Sequence, residues 1–120
     1  MELHELEVYR LASEISDDAW IMYARMDWHT KKIIGDQFIS AVDSISANIA
    51  EGFGRFHYLD KNKFHYNACG SLFEVLDWVE KLHKRSLMTE QEYEKMRHAL
   101  TNLAIKLNNY IRSISTLKNN

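Results

Sequence analysis

Hydrophobic residues recur at intervals of three and four along almost the whole chain, a spacing that predicts amphipathic helices and no strand. Four such helices are predicted, covering about residues 3–26, 31–56, 59–84 and 89–117. The links between them are short, so consecutive helices are expected to run antiparallel. The sequence therefore predicts an all-α fold, an up-down-up-down antiparallel four-helix bundle that forms one domain over residues 1–120.

Each predicted helix carries one apolar face. The faces consist of Val8, Leu11, Ile15, Ala19, Met22 and Met26; then Ile34, Phe38, Ala41, Val42, Ile45, Ile49 and Phe53; then Phe64, Ala68, Leu72, Val75, Val79 and Leu82; and finally Tyr93, Met96, Leu100, Leu103, Leu107, Tyr110, Ile114 and Leu117. The last face alternates three- and four-residue steps, which is typical of knobs-into-holes packing. Thr89 and Glu92 predict a capping box at the start of the fourth helix, and Thr30 or a nearby residue is expected to cap the second.

The second predicted helix also has a polar stripe. Its members are spaced by four, three and four residues, and they are Ser44, Asn48, Glu51 and Arg55. Residues at these spacings align on one helix face. Because the stripe begins with small side chains, we interpret it as a buried or half-buried polar network that fixes the register of the helix. A ligand-binding or catalytic role is the alternative.

Small residues inside the helical pattern predict close packing between helices. Gly52 and Gly54 lie near the end of the second helix, where they indicate either a close contact or a C-terminal cap. Gly70 and Ser71 lie in the middle of the third helix with no other turn residue beside them, which favours tight packing over a turn.

Three large apolar residues lie outside or at the edge of the predicted apolar faces. Leu76 and Trp78 fall off the face of the third helix, and Trp20 widens that of the first. Trp20 fits either the core or an interface. Together the three predict an exposed apolar patch that serves oligomerisation or partner binding.

Composition and charge narrow the classes of function. The chain is 46% hydrophobic and 27% charged, contains no proline and has a net charge of −2. Residues 1–30 hold seven acidic and two basic side chains. Such a balance does not indicate a nucleic-acid-binding domain, which is normally basic. The sequence has neither a membrane-spanning run nor a signal-peptide profile, so a cytoplasmic location without membrane contact is expected.

The sequence carries no motif of an enzyme. A P-loop, a dinucleotide-binding glycine fingerprint and a nucleophile elbow are all absent, so we expect no catalytic residue, no cofactor and no small-molecule substrate. The single Cys69 is interpreted as a small buried residue. Among the six histidines, only His57 and His65, with Glu51 or Asp60 nearby, leave a metal site conceivable, and no metal is predicted.

The run from Ser44 to Arg55, SISANIAEGFGR, resembles the central motif of the 23S rRNA intervening-sequence protein family. The family has similar residues at two further places, which correspond in this sequence to Leu6–Tyr9 with Ala12 and to Ala68–Leu72 with Glu74. The resemblance implies a small four-helix bundle without known catalytic activity, commonly assembled as a ring-like homopentamer and related to the accessory proteins of diversity-generating retroelements. A self-assembling interaction or scaffold protein is the expectation that follows.

The chain departs from the family pattern between Arg55 and Phe64, where relatives usually have a lysine-rich stretch and this sequence has FHYLDKNK. This departure weakens the expectation of phosphate binding. An oligomer can nevertheless gather weak basic patches from several copies, and the candidate nucleic-acid contacts are Lys61, Lys63, Lys81, Lys84 and Arg85. RNA or nucleoprotein binding by the assembled oligomer is therefore the alternative function.

Overall fold

The computed structural model describes residues 1–117, except for the Leu117 side chain, and its described residues contain helices and no strand. Four long helices follow a 3₁₀ turn at Leu3–Glu5. They are α1 (Glu7–Ala24), α2 (28–53, made of Trp28–Thr30, a π-helical turn Lys31–Gly35 and Asp36–Phe53), α3 (Tyr58–Lys84) and α4 (Glu90–Leu117). The predicted all-α fold is confirmed.

The helices form a closed, elongated bundle. Each helix packs against the next in the chain, and α4 packs back against α1, so that α1 and α3 lie across the diagonal. The described chain measures 51 × 23 × 21 Å, which fits α3 lying along its length, because 27 helical residues extend about 40 Å. No helix within residues 1–117 combines the length and hydropathy that are needed to cross a membrane.

The predicted apolar faces meet inside the bundle and form one core. Almost all their described residues are buried, and the exceptions, which are half-buried, are Leu11, Met26, Phe53, Phe64 and Tyr110. The core is therefore close to what periodicity predicts.

The interior face of α3 differs from the prediction at its first turns. Phe64 lies half-buried near the guanidinium of Arg55, which is 4.7 Å from the ring centroid. His65 is fully buried in its place, with Asn62 buried one turn earlier. Residues three and four positions before Ala68 lie on the same side of a helix, so spacing alone does not choose between His65 and Phe64.

Helix α2 begins three residues earlier than predicted. The Asp27 carboxylate accepts a hydrogen bond from the Thr30 backbone N–H at 2.7 Å, so Asp27 caps the helix. This hydrogen bond also lowers the pKa of Asp27. A π-helical turn follows, in which the N–H of Asp36 donates to the Lys31 carbonyl.

The capping box at the start of α4 is confirmed. The Thr89 N–H donates to Glu92 Oε1 at 2.9 Å, and the Glu92 N–H donates to Thr89 Oγ1 at 3.1 Å. Both terminal nitrogens of Arg25 donate to the Glu92 carboxylate at 2.5 Å. Chiefly because of Arg25, the pKa of Glu92 falls to about 2. The end of α1 is thus tied to the start of α4.

Helix α3 ends in a Schellman motif. The Leu87 N–H donates to the Leu82 carbonyl at 2.9 Å, and the Ser86 N–H donates to the His83 carbonyl at 3.1 Å. Ser86 has φ 59°, the left-handed conformation that glycine adopts most easily. The local backbone therefore carries strain at Ser86.

We expect Ser86→Gly to stabilise the protein. Relief of the left-handed strain at residue 86 outweighs the added entropy of the unfolded chain, giving a gain of about 0.5–1 kcal/mol in the free energy of unfolding. Urea unfolding followed by circular dichroism measures the change, with Ser86→Ala as the control because alanine keeps the strain. Equal effects of the two substitutions would contradict this reading of the turn.

Candidate interaction surfaces

The polar stripe of α2 begins with a small cluster that joins α2 to α3. Asn48 Nδ2 donates to the Ser44 carbonyl at 2.9 Å and to Ser44 Oγ at 3.1 Å. Ser44 Oγ is in turn 2.8 Å from Ser71 Oγ on α3. All three side chains are half-buried. A hydroxyl pair this short requires close helices, so Ser71 lies at a tight contact, as its position in the sequence suggested.

The other two residues of the stripe form a separate pair at the end of α2. Arg55 donates to Glu51 Oε1 at 2.5 Å, and both side chains are about half exposed. In the described part of the chain, no hydrogen bond joins this pair to Asn48 or Ser44. The predicted four-residue network is therefore two clusters, and the second also meets α3, through the Arg55 guanidinium beside the Phe64 ring.

Only Gly52 among the three helical glycines of the prediction makes a close contact. A Cβ at Gly52 would lie 2.6 Å from Nε2 of His65 and 2.8 Å from the Lys61 carbonyl. Gly54 ends α2 as its C-cap, and a Cβ there would meet only ordinary contacts. The tight packing predicted at Gly70 is wrong, since a Cβ at Gly70 would have no atom within 4 Å. Gly70 points away from the neighbouring helices.

A further close contact was not predicted, at Gly35 in the π-helical turn. A Cβ at Gly35 would lie 2.8 Å from Met26 Sδ and 3.3 Å from the Tyr23 ring. The Tyr23 hydroxyl donates to Asp36 Oδ1 at 2.6 Å, which raises the pKa of Tyr23. The end of α1 therefore packs directly on the start of α2.

His65 is the one fully buried titratable side chain of the described core. Its Nδ1 is 3.3 Å from Asn62 Oδ1, and its ring meets Tyr110 edge to face at 5.0 Å. Its Nε2 has no hydrogen-bond partner among the described residues. Burial lowers the pKa of His65 to about 4, and the positive charge of Lys61 lowers it further. The nearby Ile49 carbonyl favours the charged ring and so raises the pKa, but by less. The ring is therefore neutral at pH 7.

The outer face of α3 carries an exposed apolar ridge. Leu59, Tyr66 and Phe73 are 69%, 60% and 65% exposed and follow one another at seven-residue intervals. Cys69 and Leu76, half-buried at the edge of this row, complete a three-four spacing. We call these five residues the α3 ridge. A heptad row of this kind is typical of a helix face that packs against another helix.

The three residues of the predicted apolar patch do not form one surface. Leu76 and Trp78 pack against the core, and Trp78 Nε1 donates to Glu74 Oε2 at 3.0 Å. Trp20 is 57% exposed and stacks on Tyr23, with 5.4 Å between the ring centroids. Because Trp20 is on α1 and the other two are on α3, across the diagonal, the single patch is a wrong prediction.

The candidate nucleic-acid contacts lie at opposite ends of α3, about 30 Å apart along the helix. Lys61 Nζ donates to the Phe53 carbonyl at 2.9 Å, and Lys63 lies 6.0 Å from the centre of the Phe64 ring. At the other end, Lys81 pairs with Asp77, while Lys84 and Arg85 are exposed. One copy of the chain therefore does not gather these cations into one patch.

The structure does not bring together the residues of the conceivable metal site. His57 is exposed just before α3, whereas His65 lies in the core. Within the described residues, no three histidine, cysteine, aspartate or glutamate side chains converge as metal ligands would. Cys69 is half-buried rather than buried, and burial raises the pKa of its thiol, which favours the less reactive protonated form.

We expect Asn48→Leu to destabilise the protein by about 1–2 kcal/mol, because it removes two hydrogen bonds at the half-buried contact with Ser44. Asn67→Leu is the matched control, since Asn67 is an exposed helical asparagine on α3. Urea unfolding of both variants provides the comparison. If the two variants have equal free energies of unfolding, the cluster has no structural role.

We expect His65 to make the fold sensitive to acid. Because its pKa is about 4 in the folded chain and about 6.5 in the unfolded chain, the unfolded state binds the proton first. The contribution of the neutral His65 ring to the free energy of unfolding is fully present above about pH 6.5. It is lost as the pH falls towards 4, and the total loss is about 3 kcal/mol. Urea unfolding at pH 7 and pH 4.5 should therefore show a larger loss in the wild type than in His65→Gln. A parallel loss in both proteins would contradict this assignment.

Comparison with known proteins agrees with this architecture. The family described as 23S rRNA-intervening sequence protein matches residues 4–109, which include α1, α2, α3 and most of α4. A search of curated proteins finds no match. Since the family match covers most of a chain that folds as four packed helices, this protein belongs to the 23S rRNA-intervening sequence protein family.

Proposed function

We propose that this protein is a non-enzymatic helical bundle that self-associates through the α3 ridge and acts as an interaction or scaffold protein. The ridge itself supports the proposal most strongly. Three of its side chains, Leu59, Tyr66 and Phe73, are large, apolar and more than half exposed in a single copy. Leaving such a row in water is unfavourable, and burying it against another helix removes that penalty.

The shape of the ridge suits a helical partner surface. Its heptad spacing presents knobs along one line, and Gly70 leaves open space beside Tyr66 and Phe73 where a side chain of the partner can insert. We propose a homopentamer as the assembled state, and this number comes from the family resemblance. A cytoplasmic location belongs to the same proposal.

RNA or nucleoprotein binding by the oligomer is the second candidate. Lys84 and Arg85 support it, because both are exposed at the end of α3 and a ring would repeat them around its circumference. The net charge of −2 favours the scaffold function over this one.

Native mass spectrometry of the gently purified protein tests the proposal. We expect a mass that is a multiple of 14.2 kDa, with five copies for the pentamer, and reduction to a single copy in Tyr66→Lys/Phe73→Lys. Both residues are exposed, so circular dichroism of the double variant should show an intact fold. An additional mass that nuclease removes would support RNA binding instead.

The matched control is Trp28→Lys/Ile33→Lys, which places the same charges on two exposed apolar residues at the start of α2. This control should keep the assembled mass. A wild-type protein that stays monomeric would overturn the proposed self-association. Loss of assembly in the control as well as in the ridge variant would show that the α3 ridge is not the specific interface.

A further inference from the structure

Helices α1 and α4 leave a groove between them on the surface of the bundle. They are the least closely packed of the four neighbouring pairs. The groove has a volume of about 600 Å³ and continues, past Asp18 and Lys95, into a smaller one of about 160 Å³. Its apolar lining comes from both helices and consists of Leu11, Ile15, Ile21, Met22, Met96 and Ala99. We call this the α1–α4 groove.

The rim of the groove carries an excess of negative charge. Lys95 Nζ lies 3.3 Å from Asp18, and the bidentate hydrogen bonds from Arg25 neutralise Glu92. Glu14 and Glu94 also line the groove, and neither takes part in an ion pair with another described residue. The remaining polar lining consists of His98 and Asn102. Two carboxylates on the rim are thus left without a cation.

We propose that the α1–α4 groove binds an amphipathic helix of a partner protein, with apolar residues on the face that enters the groove and lysine or arginine on its flanks. The groove extends from Leu11 to Met22, about 17 Å along α1, which corresponds to three turns of a bound helix. Met22 and Met96 are buried beneath the groove, and its accessible apolar lining is the exposed Ile21 with the half-buried Leu11 and Ala99.

Charge favours a foreign helix over a second copy of this chain in the groove. The most exposed apolar helix face of the chain, the α3 ridge, has three exposed acids, Asp60, Glu74 and Asp77, beside it, against one exposed base, Lys63. Docking α3 into the α1–α4 groove would bring these acids towards Glu14 and Glu94, and like charges repel. A basic helix places its cations against the same two carboxylates.

Fluorescence anisotropy with labelled synthetic peptides tests the proposal. The probe is an amphipathic peptide of about fifteen residues with leucine at every third or fourth position and lysine on both flanks. One comparison peptide has glutamate in place of every lysine, and another has serine in place of every leucine. At about 0.15 M salt, we expect only the leucine–lysine peptide to bind with a micromolar Kd.

Variants of the groove make the test specific. We expect Glu14→Lys/Glu94→Lys to raise the Kd by about tenfold or more, because cations on the rim repel the lysines. Ala99→Phe, which fills the floor without changing charge, should have a similar effect. Asp43→Lys/Asp77→Lys is the matched control, since it reverses two exposed charges on α2 and α3, and it should change the Kd by less than about threefold.

Any of four outcomes would overturn the proposal. Equal losses in the groove and control variants, or equally tight binding of the serine peptide, would show charge attraction without a groove. The absence of peptide binding would exclude this class of ligand. Sedimentation velocity measures the assembly state of the chain while the peptide binds. If the peptide binds only when an assembly of the chain dissociates, a second copy of the chain occupies the groove. The outcomes measured with peptides and variants leave the proposed self-association untouched, whereas a second copy in the groove would place the self-association interface there instead of at the α3 ridge.

Discussion

Because Gly52 has no side chain, helices α2 and α3 can lie as close together as they do. A Cβ there would lie only 2.6 Å from Nε2 of His65. The buried imidazole contacts Tyr110, and Asn62 beside it donates to Ser115 Oγ at 2.9 Å on α4. The close approach of α2 to α3 thus also sets where α4 packs. Further along, the hydroxyls of Ser44 and Ser71 meet across the same pair of helices.

The opposite pair of helices is packed by a different balance of forces. Helices α1 and α4 are held at intervals by charged pairs, such as Lys106 with Glu7 at 3.1 Å and Lys95 with Asp18. Exposed pairs of this kind contribute little to stability and do not force helices into close contact. A groove between α1 and α4 therefore persists at little energetic cost, whereas the same gap between α2 and α3 would remove the core contacts of His65.

The reliable parts of the sequence interpretation were those that depend on neighbours within one helix. The three-four alternation in α4 and the capping box at Thr89 were predicted and are present. The errors concern contacts between helices. Gly52 and Gly70 look alike in sequence, yet only Gly52 faces another helix. Where each glycine points depends on how its helix is rotated in the bundle, and spacing leaves that rotation uncertain by about one residue.

The sequence by itself determined four amphipathic helices, most of the core and the absence of strands within residues 1–117. Burial of an apolar stripe and capping of a helix end are local requirements that repeat along the chain. Only the tertiary structure decided that His65 rather than Phe64 enters the core, that the polar stripe of α2 divides into two clusters, and that α1 and α4 leave a groove. Each of these features depends on the distance and rotation between helices far apart in sequence, which close packing of side chains fixes jointly for the whole bundle.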